Sequence, residues 1–114
     1  MFNSIQEIDA PQLADWMSSD AGQLCIIDVR EMREISQGSV PDAKPIPLAT
    51  LPARLHELSK TDKIVVVCRS GVRSAHACMF MQEQGFDNVF NLRGGMIAWA
   101  HGNLPVGQPA MAIG

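Results

Sequence analysis

Residues 64–67 read Ile-Val-Val-Val, four β-branched residues in succession. Strand side chains alternate between the two faces of a sheet, so a strand that is apolar throughout must be covered on both. The simplest solution is a parallel sheet with helices above and below. The next seven residues, Cys68-Arg69-Ser70-Gly71-Val72-Arg73-Ser74, hold a thiol, two guanidinium groups, two hydroxyls and a glycine. Ser74 to Gln84, rich in Ala and Met and closed by Gly85, is expected to be a helix. Its apolar residues Ala75, Ala77, Cys78, Met79, Phe80 and Met81 predict a helix covered all round. This order puts Cys68 at the carboxyl end of a strand, in a loop feeding a helix N-terminus. Open α/β sheets bind ligands at that edge, and free N–H groups with the helix dipole stabilise thiolates and bound anions there.

The remaining chain alternates strand-like and helix-like segments, which predicts an α/β fold with a mostly parallel sheet. Ser4 to Glu7 is a candidate first strand. Asp9-Ala10-Pro11-Gln12 is a capping-box variant in which Asp9 caps and Gln12 reaches back, with Ile8 and Leu13 spaced as a hydrophobic staple. Leu13, Trp16 and Met17 share the apolar face of the helix that follows. Leu24 to Val29 reads as a buried strand with Asp28 near its end. Glu31 to Gln37 is a short helix closed by Gly38. Pro41, Pro45 and Pro47 confine Val40 to Leu48 to an edge strand or extended loop. Thr50 is expected to cap a helix with Pro52 in its first turn and Leu51, Leu55 and Leu58 along one side. Asn88 to Leu92 is a last strand, and Gly94-Gly95 precedes a final helix bearing Met96, Ile97 and Trp99.

At 114 residues the chain is expected to be one domain over 1–114, with the 104–114 tail docked at first and frayed at its end. A net charge of −3 argues against nucleic-acid binding. No apolar run reaches membrane-spanning length, and the first ten residues lack the basic and apolar regions of a signal peptide. The three cysteines, Cys25, Cys68 and Cys78, have no CxxC spacing, which suits free thiols in a reducing, cytoplasmic setting. His56, His76 and His101 show no metal spacing, and no metal or cofactor is expected.

A free thiol with a pKa near 8.5 is only roughly 3% thiolate at neutral pH. Around Cys68, the N–H groups of residues 69–73 can curl about the sulfur if Gly71 permits the turn. Arg69 and Arg73 add positive charge, and the helix adds its dipole. The loop holds no acid or base other than arginine, which ill suits a reaction that must protonate a poor leaving group. Sulfur transfer has no such need: when a thiolate attacks the outer sulfur of thiosulfate, sulfite departs as a stable anion. The cysteine persulfide that remains is itself an anion for the same cradle. Phosphatase chemistry competes, but Cys-loop phosphatases use C-x5-R, whereas Cys68 to Arg73 is C-x4-R. The shorter loop leaves room for one sulfur atom rather than a phosphoryl group.

With these residues in view, the sequence resembles the single-domain rhodaneses, the thiosulfate sulfurtransferase family, over nearly its whole length. Asp28-Val29-Arg30-Glu31, then Glu34 and Gly38, is similar to that family's D-x-R-x-x-x-E-[FY]-x-x-G-H-I-P-G-A signature. Ile35, Ser39, Val40 and Asp42 replace its aromatic, His, Ile and Gly, while Pro41, Ala43, Ile46 and Pro47 fit. Residues 68–74 resemble the active loop; Leu92, Gly94-Gly95, Trp99 and Leu104-Pro105-Val106 resemble the C-terminal signature, with Asn103 where Gly is usual. The resemblance implies a rhodanese-like three-layer fold, a five-stranded parallel sheet with helices on both faces. It implies Cys68 as persulfide carrier, with Arg69, Ser70, Gly71, Val72 and Arg73 as substrate-binding cradle and the two arginines attracting a dianionic donor. Asp28 and Arg30 would support the loop from the neighbouring strand end, with Ser74 as a further support; Ser39 would affect packing rather than chemistry. The implied partners are thiosulfate or another sulfane donor, with cyanide, glutathione or a thioredoxin-like thiol as acceptor. A protein-to-protein sulfur relay is the alternative, ahead of a phosphatase or arsenate reductase.

Other residues have plainer roles. Cys25 and Cys78 are expected in the core, as are Met79 and Met81. Arg30 suits an ion pair with Asp28 or Glu31, and Arg93 is a donor contact or a surface pair. Gly94-Gly95 fits a tight turn as well as an anion site. Trp99 is expected to anchor the last helix.

Overall fold

The computed structural model describes residues 4–19 and 23–108. Strands β1 (Gln6–Ile8), β2 (Leu24–Asp28), β3 (Lys44–Pro45), β4 (Lys63–Val67) and β5 (Val89–Leu92) form one parallel sheet. Their order is β1-β5-β4-β2-β3. The helices are α1 (Ala10–Ser19), α2 (Met32–Ile35), α3 (Leu51–Arg54), α4 (Val72–Glu83) and α5 (Gly95–His101). No described helix is long and apolar enough to cross a membrane.

β4 lies at the centre and is buried on both faces, as its composition requires. Ile64, Val66 and then Cys68 enter the core shared with Leu51 of α3 and Ala77, Cys78 and Met81 of α4. Val65 and Val67 enter the opposite core, with Leu13 of α1 and Trp99 of α5. Strand alternation thus assigns the thiol to the α4 side of the sheet. From β2 the chain passes to β3 on one side, and from β4 to β5 on the other. Cys68 therefore follows a strand at the topological switch point, where open α/β sheets place their ligands.

Most local expectations are met. Gln12 N donates to Asp9 Oδ1 at 2.8 Å and Asp9 N to Gln12 Oε1 at 3.2 Å, closing the capping box of α1. The proline-rich segment supplies only the two-residue edge strand β3. Asn103 adopts φ +53° just past α5, and Asp42, standing where the resemblance expects Gly, adopts φ +66°. Both are side chains that tolerate the left-handed region. Leu104 to Gly107 is docked: Trp99 Nε1 donates to Pro105 O at 2.8 Å, and Ser39 and Gly107 exchange backbone bonds of 2.9 and 2.8 Å. The frayed end expected at the C-terminus lies outside the described residues from position 109.

Three expectations need correction. β1 covers Gln6–Ile8 rather than Ser4 to Glu7, because pairing with Phe90 to Leu92 of β5 sets its register. Thr50 does not cap α3: it is itself helical, and its hydroxyl donates back to Pro47 O at 2.8 Å within a preceding 3₁₀ turn, Leu48–Thr50. α4 is not covered all round. Ser74, Ala77, Cys78 and Met81 form one buried stripe while Met79 is 36% exposed, because the layer arrangement leaves the outer face of the helix uncovered.

Among the described glycines, Gly95 marks the closest backbone approach, where α5 meets the Cys68 loop. Met96 N donates to Cys68 O at 2.9 Å and Ile97 N to Arg69 O at 3.1 Å. Gly95 has φ +55°, and a Cβ there would lie 2.3 Å from Cys68 O and 2.6 Å from Arg69 O. Gly94-Gly95 thus serves a close backbone approach, with the helix N–H groups of Met96 and Ile97 spent on carbonyls rather than on an anion. Gly95→Ala is expected to destabilise the protein by at least about 2 kcal/mol, from left-handed strain plus steric overlap. A urea unfolding curve would show a lower midpoint at unchanged slope.

Candidate active site

Gly71, at φ +102°, turns the loop after Cys68 into α4. A Cβ there would meet Gly94 N at 3.2 Å, so both conformation and space favour glycine. The turn aims Gly71 N–H at Cys68 Sγ, 3.1 Å away, and brings Ser74 Oγ to 3.2 Å from the same sulfur. Burial pushes the thiol pKa up; the Ser74 hydroxyl and the backbone N–H groups of Ser74, Gly71 and Ser70 outweigh it, so the pKa lies below that of an ordinary cysteine. Cys68 has no exposed surface, whereas Arg69 and Ser70 are exposed and Val72 is 61% exposed.

The two loop arginines differ. Arg69 makes no side-chain hydrogen bond or ion pair among the described residues and faces solvent. Arg73 was expected to attract the donor with Arg69, but its guanidinium makes two bonds, of 2.8 and 3.0 Å, to the Glu34 carboxylate on α2. Its hydrogen bonds hold Glu34 at a pKa of about 2. Arg73 therefore ties the loop to α2.

Asp28 and Arg30 form a buried pair. Arg30 Nε and Nη2 reach the Asp28 carboxylate at 2.7 to 3.1 Å, and Arg30 N donates to Asp28 Oδ1 at 3.0 Å. Arg30 Nη2 also donates to Gly38 O at 2.8 Å, and Ser39 Oγ to Asp28 Oδ2 at 2.7 Å. None of these bonds touches residues 68–74. The pair closes the segment that carries α2, so its link to the loop runs through Glu34 and Arg73 rather than directly from the strand end. Ser39 completes the Asp28 site and pairs with the tail.

Asn91 and Glu7 escaped the sequence reading. Asn91 is 1% exposed on β5. Its Oδ1 accepts a short hydrogen bond from Ser74, and its Nδ2 donates to Glu7 Oε2 at 3.0 Å and to Gly71 O at 3.1 Å. The available signal was a lone polar residue in the otherwise apolar strand Val89-Phe90-Asn91-Leu92. Glu34 appeared only as a signature position. Arg93 makes a loose surface pair with Glu7 at 3.5 Å. Burial, then Glu7 and Cys68, push the Cys78 thiol up to about 12, so it remains a core thiol. Cys25, expected in the core, packs against it but is only half-buried, as the second residue of β2; burial and then Asp62 raise its pKa, with Lys44 opposing. His76 is exposed on α4. Among the described residues, no group of three His, Cys, Asp or Glu side chains is placed to hold a metal.

Beside Arg69 lies an open groove of about 470 Å³, whose walls include Arg33, Gly38, Met96, Ile97 and Val106. Ile97 is 40% and Val106 53% exposed, so the approach to the loop is cationic and apolar together.

A strand-end cysteine under a ring of N–H groups, on this sheet order, defines a rhodanese-type site. The Rhodanese-like domain family pattern matches residues 9–101, and the chain belongs to that family. It is 41% identical over 105 residues to a sulfurtransferase of Allochromatium vinosum, covering 92% of this chain and 97% of that one. It is 27% identical to the thiosulfate sulfurtransferase GlpE of Actinobacillus pleuropneumoniae, over 93% and 96% of the two chains. A crystal structure of a rhodanese-like domain protein from Staphylococcus aureus, 31% identical, superposes with a TM-score of 0.77 over 96% of this chain and 99% of that one. Family and relatives together support sulfur transfer as the general activity.

The Glu34–Arg73 pair has a pH signature. The Glu34 carboxyl falls from its ordinary 4.5 to about 2 in the folded state, so its contribution to stability is complete above about 4.5 and is lost as pH falls towards 2. The stability gap between wild type and Glu34→Gln, read by urea unfolding, is expected to narrow across that window and to hold steady above it.

Proposed function

We propose that the protein takes the outer sulfur of thiosulfate onto Cys68 and passes it to cyanide or to a small or protein thiol. The Cys68 thiolate attacks the outer sulfur; the S–S bond of thiosulfate breaks, and sulfite leaves with the bonding pair. The resulting persulfide anion carries its charge on the outer sulfur, beside the N–H groups of Ser70, Gly71 and Ser74 that point at Cys68 Sγ. A second nucleophile then attacks that outer sulfur, and Cys68 departs as the thiolate, aided by the same hydrogen bonds. No proton transfer is needed in either half.

The observation that carries this reading is the absence of a usable acid on the loop. The carboxyl group bonded to it, Glu34, is held at about 2 by Arg73 and so is ionised at neutral pH. A phosphate monoester needs its leaving oxygen protonated; a sulfite leaving group does not.

A protein donor or acceptor is the second reading. Val72 opens α4, Ile97 is bonded through its backbone to Arg69, and Met32 starts the helix that carries Glu34. All three are large apolar side chains exposed by 40% or more around the loop. Transfer from a protein persulfide at far lower KM than thiosulfate would favour this reading.

Incubation with thiosulfate is expected to add one sulfur atom to the intact mass, and Cys68→Ser to abolish the gain; a gain that survives the substitution sinks the assignment. Hydrolysis of an aryl phosphate, lost in Cys68→Ser, would restore the phosphatase reading. Arg69→Ala is expected to raise KM for thiosulfate on the order of tenfold, the loss of one charge-assisted contact, with little change for a neutral donor.

A further inference from the structure

The buried polar atoms behind Cys68 form a chain from solvent to sulfur. Glu7 on β1 lies beside Asn91 on β5 in the sheet register, and its side chain is 35% exposed. The Asn91 amide meets two acceptors, the Glu7 carboxylate at 3.0 Å and Gly71 O at 3.1 Å. Only its NH₂ group can satisfy them, so Oδ1 must face Ser74. Ser74 Oγ, fully buried, touches both that oxygen and, at 3.2 Å, Cys68 Sγ.

A serine hydroxyl has one hydrogen, and here two acceptors compete for it. When Cys68 is a thiol, S–H can donate to Ser74 Oγ while Ser74 donates to Asn91. When Cys68 is a thiolate, Ser74 must turn its hydrogen to the sulfur, leaving two oxygen lone pairs face to face. We infer that Asn91, oriented by Glu7, is a positioning residue that sets the thiolate population of Cys68 by competing for the Ser74 hydrogen. In the sulfur-transfer cycle, which rests on the function proposed above, loading moves the negative charge from Sγ to the outer sulfur. Sγ becomes a neutral two-bonded atom, and the Ser74 hydrogen returns to Asn91. Departure of the outer sulfur to an acceptor restores the charge on Sγ and draws the hydrogen back. Asn91 thereby holds the hydrogen during the half of the cycle in which Sγ does not need it.

The other charged or titratable groups on the elements that meet at the thiol are Arg69 in the loop, Arg73 with Glu34 and Glu31 from α2 and its cap, His76 and Cys78 on α4, Asp28 with Arg30 at the end of β2, and Arg93 after β5. Asn91→Leu leaves all of them in place. Gly71 O keeps a bond from Ala75 N at 3.2 Å, and Glu7 keeps solvent, so the substitution strands neither acceptor.

The test is the Cys68 pKa, taken from the pH dependence of iodoacetamide alkylation and read on the Cys68 peptide by mass. Asn91→Leu is expected to lower it by about half a unit to one unit, the size of one net hydrogen bond. Added apolar surface alone would raise the pKa, so a fall isolates the released hydroxyl. Ser74→Ala is expected to raise it, and Asn91→Leu in that background should no longer lower it. An unchanged or raised pKa in Asn91→Leu, or a fall that persists without Ser74, overturns the inference. If Asn91→Leu does not fold, Glu7 decides: Gln keeps an acceptor for the amide and Ala does not, so Glu7→Ala should give the lower pKa, and equal values overturn the inference. Alkylation needs no sulfur donor, so failure of the relay and failure of sulfur loading are separate results.

Discussion

The contact between the first turn of α5 and the carbonyls of Cys68 and Arg69 holds the site together. A loop with its N–H groups curled inward must send its carbonyls outward, and buried carbonyls need donors. Met96 N and Ile97 N supply them. That is possible only because Gly95 has no Cβ to strike those oxygens. The C-terminal segment, distant from Cys68 in sequence, is thus a wall of the Cys68 loop. The same segment continues to Gly107, which pairs with Ser39 beside the Asp28–Arg30 pair. One chain end braces both strand-end structures at the mouth of the sheet.

Charge at the site follows from this bracing. Neutral N–H groups and a hydroxyl do most of the work of lowering the Cys68 pKa, against the cost of burial. Of the two guanidinium groups in the loop, one is paired with Glu34 and fastens the loop to α2; the other is left exposed, with no side-chain partner among the described residues. In the function proposed above, a thiolate stabilised by dipoles rather than by a close cation keeps its charge available for attack on a sulfur donor. The buried chain Glu7–Asn91–Ser74 adds a means of adjusting that balance from behind.

Much of this was legible in the residues. Four β-branched positions required a doubly covered strand, and the Arg-, Gly- and Ser-rich stretch after it marked the site at its end. Gly71 and the Asp28–Arg30 spacing also spoke for themselves, since each meets a local geometric need. Asn91 did not, because a polar residue in a short strand signals burial with partners only once its neighbours are known. Thr50 and Met79 misled for a related reason. Thr50 found a nearer carbonyl at Pro47, and Met79 fell on the one helix face that the layers leave open.

The sequence by itself determined the sheet, the loop length and the candidate nucleophile, since periodicity, residue chemistry and spacing along one segment decide those. Only the tertiary structure decided which arginine is free, what stands behind Ser74, and why Gly95 is glycine. Those depend on α2, β1, β5 and α5 meeting around the loop in space, across separations in the chain from 17 residues for Ser74 and Asn91 to 84 for Glu7 and Asn91. Hydrogen bonds and close approaches of that kind act over about 3 Å, and no pattern along the chain fixes a distance that small between segments so far apart.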